Sequence, residues 1–131
     1  MSGRVFILIG SVAASISVLA GAFGAHGLAD VLGDRADVYE TGARYHMYHS
    51  LAIILVGLIY RRYRSRAVWV AGWLFLIGLV LFSGSLYVLA ISGVAWWGAI
   101  TPVGGVLFVL AWILLGIGVW RSRRVESQQI P

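Results

Sequence analysis

Four apolar stretches, Val5–Ala25, Ala43–Tyr60, Ala67–Ile91 and Ala99–Trp120, fill most of the 131 residues. Each is close to the roughly 20 residues that a helix needs to cross the hydrocarbon core of a bilayer. A helix that is apolar on nearly every side has no solvated face to offer a soluble fold. The hydrophobic fraction is 60% and charged residues make up 11%, against about a quarter in soluble domains. The predicted fold is therefore an all-α membrane protein, a bundle of four transmembrane helices that forms one integral membrane domain over residues 1–131. Any chemistry then has to be done within the bundle or at its edge.

The net charge of +5 reflects ten arginines and no lysine, and its placement matters more than its size. Arg61, Arg62, Arg64 and Arg66 fill the second connection, Arg121, Arg123 and Arg124 follow the last span, and Arg4 precedes the first. Asp30, Asp34, Asp37 and Glu40 lie on the opposite side, offset by Arg35 and Arg44. This is the positive-inside pattern, and it predicts that both termini and the RRYRSR loop are cytoplasmic. The basic segments suit anionic headgroups, so membrane lipids are the expected partners and nucleic acid is not. With no cysteine, disulfides, thiolate metal sites and cysteine nucleophiles are excluded. Ala20-Gly21-Ala22 resembles a signal-peptide cleavage site, but the apolar run before it is longer than a signal core and is expected to be retained.

Small residues repeat along the first span, at Gly10, Ala14, Ser17, Gly21 and Gly24, with spacings that form one stripe on a helix. Such stripes let a neighbouring backbone approach, a main attraction between helices in lipid. Gly42, Gly57, Gly84, Gly104 and Gly105 are expected to serve the same packing role. Residues His26–Ala36 are too polar to span. Leu28, Val31 and Leu32 on one side predict a short helix in the outer interface. Asp37 followed by Glu40 reads as a capping-box variant starting the next helix near Val38, and Glu40 and Arg44 have the spacing of a helical ion pair. Pro102 falls in the first turn of the last helix, where a missing N–H costs little.

With alternating helices, four motifs gather in one leaflet. These are GAFGAHGL at Gly21–Leu28, TGARYHMYHSLA at Thr41–Ala52, LFSGSLY at Leu81–Tyr87 and TPVGG at Thr101–Gly105. In this order and spacing the chain resembles the small bacterial inner-membrane proteins of domain-of-unknown-function family 423, relatives of the mitochondrial transmembrane protein 256. The resemblance covers nearly the whole chain. It implies a four-helix membrane fold and carries over no established molecular activity. Gly21, Gly24, His26, Thr41, Gly42, Tyr45, His49, Ser83, Gly84, Ser85, Tyr87, Thr101, Pro102, Gly104 and Gly105 match the family's motifs. At His46 the family pattern often has glutamine, so the resemblance implies no general need for imidazole there.

Three chemistries compete for this motif cluster. His26, His46 and His49 offer imidazoles for a metal or haem, with the nearby carboxylates as further ligands or ring orienters. Histidines at this depth also suit a proton-linked role. Ser83, Ser85 and Thr101 offer hydroxyls, with His49 as a base, but hydroxyls in membrane helices more often bond between or within helices. The deeper parts of the spans lack Asp, Glu, Lys and Arg, which argues against a pump or secondary transporter. The favoured expectation is a non-enzymatic module that binds a lipid-like ligand or a partner protein through His26, Thr41, Tyr45, His49, Ser83, Ser85, Tyr87 and Thr101. A histidine-based metal or haem protein and a small oligomeric permeation unit are the alternatives. Homo-oligomerisation is compatible with so many glycine faces, and the pattern specifies no cofactor.

Overall fold

The computed structural model describes residues 1–126, with side chains to 122, so Arg123 and Arg124 of the basic C-terminal cluster lie outside the described side chains. All regular structure among the described residues is helical. Four long helices dominate: α1 (Gly3–Ala22), α3 (Ala36–Tyr63), α4 (Arg66–Ser92) and α5 (Thr101–Glu126), with the one-turn α2 (Ala29–Leu32) between the first two. Three segments are long and apolar enough to cross a membrane: Gly3–His26, Arg66–Ser92 and Ala95–Ser122. The remaining long helix, α3, has 28 residues, but Arg44, His46, His49 and three tyrosines in its first half dilute its hydropathy.

α1 packs on α3, α3 on α4 and α4 on α5, so α3 and α4 form the middle of the assembly. The core joins Phe6 of α1, Ile53 and Val56 of α3, Val68, Ala71 and Phe75 of α4, and Phe108, Ala111 and Leu115 of α5. The outward faces of the flanking helices stay apolar and uncovered, with Leu8, Val12 and Leu19 on α1 and Val106, Val109 and Ile113 on α5. In water such a surface would drive association, whereas in hydrocarbon it is simply solvated.

Glycine sets the distance between the helices. A Cβ at Gly10 would lie 2.8 Å from the Ser50 carbonyl, and one at Gly57 would lie 2.6 Å from the Gly3 carbonyl. On the other side of the bundle, a Cβ at Gly104 would lie 2.9 Å from the Gly78 carbonyl. Ser17 belongs to the same α1 face and donates to the Ala43 carbonyl at 3.0 Å. Gly24 receives the Tyr39 ring, and Gly42 faces Leu86 and Tyr87. Ala14 is half-buried. Gly21 and Gly84, expected to pack, face open space, and Gly105 meets only the Phe82 ring at ordinary contact distance. Gly3, Gly72, Gly78 and Gly118 make close approaches that the motif pattern did not single out.

The connection after α1 contains the expected short helix only as the single turn α2. It begins with a widened turn over Phe23–Gly27, closed by Leu28 N–H to the Phe23 carbonyl at 2.9 Å, and continues through α2 into a 3₁₀ turn over Gly33–Arg35. Leu32 is buried with Tyr39 and Ala90, while Val31 stays half exposed. Arg35 Nε donates to the Ala90 carbonyl at 2.8 Å and pins the segment to the end of α4. α3 starts at Ala36, so Asp37 lies inside its first turn and there is no side-chain cap. The Asp37 carbonyl accepts from Thr41 Oγ1 at 2.9 Å, and Glu40 and Arg44 pair at 2.7 Å on the exposed face.

These contacts separate two glycines that look alike in sequence. Gly104→Ala puts a methyl against immobile backbone and should cost about 1–3 kcal/mol, as overpacking does. Gly84→Ala meets nothing and should gain up to about 1 kcal/mol from helix propensity. Melting of the two variants in the same detergent, followed by circular dichroism, checks the opposite signs.

Candidate functional site

The polar side chains of α3 become a site because protein surrounds them. Along its buried face, Tyr39, Gly42, His46, His49, Ser50 and Ile53 recur at helical spacing. Tyr39 donates to the Ala20 carbonyl of α1 at 2.8 Å. Its ring lies 5.0 Å from that of Tyr87 on α4, and the Tyr87 hydroxyl bonds His46 Nδ1 at 2.9 Å. Ser50 closes back on the His46 carbonyl at 2.7 Å.

His49 faces the other way. Its ring stacks on Phe108 of α5 with centroids 3.4 Å apart and planes within 4°. Trp112 Nε1, which can only donate, points to His49 Nε2 at 3.3 Å, and His49 Nδ1 lies 2.8 Å from the Tyr45 carbonyl, which can only accept. Nε2 is therefore the acceptor and Nδ1 carries the proton, which makes the ring neutral. Both ring nitrogens are occupied.

A third polar contact ties α4 to α5. Ser85 Oγ donates to the Phe82 carbonyl at 3.0 Å and lies 2.7 Å from Thr101 Oγ1. Because a hydroxyl has one proton, Thr101 is the donor in the second bond. Ser83 is buried close by in sequence, and its Oγ has no partner among the described residues; the same holds for Trp73 Nε1.

The three histidines do not converge. His46 bonds Tyr87, His49 bonds Trp112, and His26 is exposed on the widened turn after α1. Among the described residues, no three His, Cys, Asp or Glu side chains are placed to hold a metal ion. The one-turn spacing of His46 and His49 suggested a shared ligand face, but neighbours on opposite sides of α3 draw the two rings apart.

Beside His49 lies a surface groove of about 410 Å³ between α3 and α5, floored by Phe82 of α4. Tyr45, Tyr48, His49, Gly105, Phe108, Val109 and Trp112 form the rest of its lining. Tyr45 and Tyr48 are exposed, and the lining presents almost no polar surface. Gly105 leaves its middle open. The sequence reading passed over Trp112, Phe108 and Phe82. A tryptophan in the middle of an apolar span was the available signal, because a buried indole N–H requires an acceptor.

The His49–Trp112 bond can be tested directly. Trp112→Phe leaves Nε2 without a donor and should cost about 1–2 kcal/mol of stability. In nitrogen-15 NMR spectra both proteins should show His49 protonated at Nδ1, held there by the Tyr45 carbonyl, and the variant should shift the Nε2 resonance as that nitrogen loses its donor.

The family model described as protein of unknown function (DUF423) matches residues 20–105, which include all four motifs. A UPF0382 membrane protein of Staphylococcus epidermidis is 48% identical over 115 residues, covering 87% of this chain and 93% of the relative. The UPF0382 membrane protein YwdK of Bacillus subtilis is 45% identical over 114 residues, covering 86% and 93%. A UPF0382 membrane protein of Staphylococcus haemolyticus is 44% identical over 119 residues, covering 90% and 97%. No solved structure matches the chain.

Proposed function

The chain belongs to the DUF423 family of proteins of unknown function, whose relatives are named only as membrane proteins, and from that premise we propose a ligand-binding role. It is a non-enzymatic module of the bacterial cytoplasmic membrane that seats the apolar chain of a lipid-like molecule in the α3–α5 groove. All four long helices span, with both termini cytoplasmic. The groove itself carries the reading: it is aromatic and nearly free of polar surface, and it opens where the bundle would meet acyl chains. The engagement of His49 supports binding over chemistry, since an imidazole fixed at both nitrogens is poorly placed to move a proton. The four-span topology draws support from α3, which runs between α1 and α4 and finds protein partners for its polar groups.

Gly105→Leu is the decisive variant for the groove. Its Cβ meets only Phe82 at 3.8 Å, so the helix tolerates it, while the added side chain fills the cavity. In native mass spectrometry, the wild type should retain a lipid-sized mass. Its occupancy should fall about tenfold in Gly105→Leu, equivalent to about 1.4 kcal/mol of binding. A bare wild type, or unchanged occupancy in the variant, would sink the binding reading.

Topology has its own test, because the chain lacks cysteine. In intact cells a membrane-impermeant maleimide should label Asp34→Cys but leave Ser2→Cys unlabelled until the cells are broken. The reverse pattern would invert the orientation.

A further inference from the structure

At the opposite end of the bundle, the first turn of α1 and the last turn of α3 enclose a hollow of about 520 Å³. Ser2, Gly3, Arg4, Tyr60, Arg61 and Arg64 line it. Three arginines at the ends of two helices thus line one concavity. None of Arg4, Arg61 and Arg64 has a carboxylate partner among the described residues.

The backbone is arranged to bring these groups together. A Cβ at Gly3 would lie 2.5 Å from the Gly57 carbonyl and 2.6 Å from Arg61 Cγ, so glycine lets the start of α1 settle directly beside Arg61. Ser2 is the N-cap of α1 and makes no side-chain capping bond, while its carbonyl accepts from Val5 and Phe6. The Gly3 and Arg4 amides, ahead of these bonds, have no intrahelical acceptor and add partial positive charge beside the hollow. Arg64 ends α3 with φ 49°, in the left-handed region usually left to glycine, and its N–H bonds the Tyr60 carbonyl at 3.0 Å. That sharp turn keeps Arg64 beside Arg61 and directs the chain on to α4.

We propose that this hollow is a binding site for a phosphate-bearing anion, either the phosphodiester of an acidic lipid headgroup or free phosphate. Guanidinium forks match phosphate oxygens in pairs, and the charge-assisted bonds they form are among the strongest available to a protein. Tyr60 and Tyr63 mark this end as a membrane–water interface, the depth at which lipid phosphates lie. The site is separate from the aromatic groove and does not depend on the reading given to that groove.

The test is native mass spectrometry from micelles containing phosphatidylglycerol or phosphatidylcholine, with circular dichroism to verify folding. The wild type should retain phosphatidylglycerol in preference to phosphatidylcholine, or bind inorganic phosphate. The double variant R61Q/R64Q should lose about tenfold of that binding, and R61K/R64K, which keeps the charge but not the forks, should lose less than R61Q/R64Q. R66Q/R121Q removes the same charge from the same end outside the hollow and should lose about threefold or less. Displacement of the lipid by millimolar inorganic phosphate would assign the site to the free anion, and persistence would assign it to the lipid. Equal losses in the two glutamine doubles, or no anion preference in the wild type, would overturn the proposal. If R61Q/R64Q fails to fold, Arg4→Gln, at an exposed side chain, gives the same comparison against Arg66→Gln.

Discussion

A polar atom shut away from water needs a partner within the protein, and that constraint organises this protein around α3. Arg44, two histidines, three tyrosines and a serine would be costly on a helix surrounded by lipid. Each buried member finds a partner on a neighbour or one turn away: Tyr39 on α1, His46 on α4, His49 on α5 and Ser50 on its own backbone. α3 is the least apolar of the long helices, and it packs between α1 and α4 while also touching α5. Its polarity and its position go together, since a peripheral helix with this sequence would leave several of these groups orphaned.

The partners are within reach because glycine brings the backbones together. Gly10 and Gly57 seat α1 on α3, and Gly78 and Gly104 seat α4 on α5. At such separations a hydroxyl can reach across to a carbonyl on the next helix, as Ser17 does to Ala43. The same closeness stacks His49 flat on Phe108. Helix association in lipid gains little from apolar burial, so dispersion at these crossings and the few interhelical hydrogen bonds have to hold the bundle together.

The family and the helical class were legible in the sequence because both are written in long-range patterns: four motifs in register, and apolar runs of spanning length. The site was less legible. Spacing put His46 and His49 on one side of α3, but only the packed neighbours decide where each ring turns. A glycine in a motif looks the same whether it receives a backbone, as Gly104 does, or faces open space, as Gly84 does. Trp112 carries no local motif, so its role emerges only when α5 lies against α3. The capping expectation at Asp37 failed for a related reason. The chain enters α3 through a 3₁₀ turn pinned by Arg35, and this extends the helix past the residue that was expected to cap it.

The two ends of the bundle handle polarity in opposite ways. At the motif-rich end nearly every buried donor is matched to an acceptor within the chain, and the adjoining groove offers aromatic surface. A network of this kind fixes shape, and shape is what an apolar chain can recognise. At the arginine-rich end Arg4, Arg61 and Arg64 share a hollow without carboxylates, so their charge can be balanced only by something outside the described chain. An amphiphile presents the same division, with tails that select by fit and a headgroup that selects by charge. The two sites lie at opposite ends of the helices, so one amphiphile from a single leaflet does not fill both. On the two proposals together, the bundle engages the two leaflets separately, by shape on one side and by charge on the other.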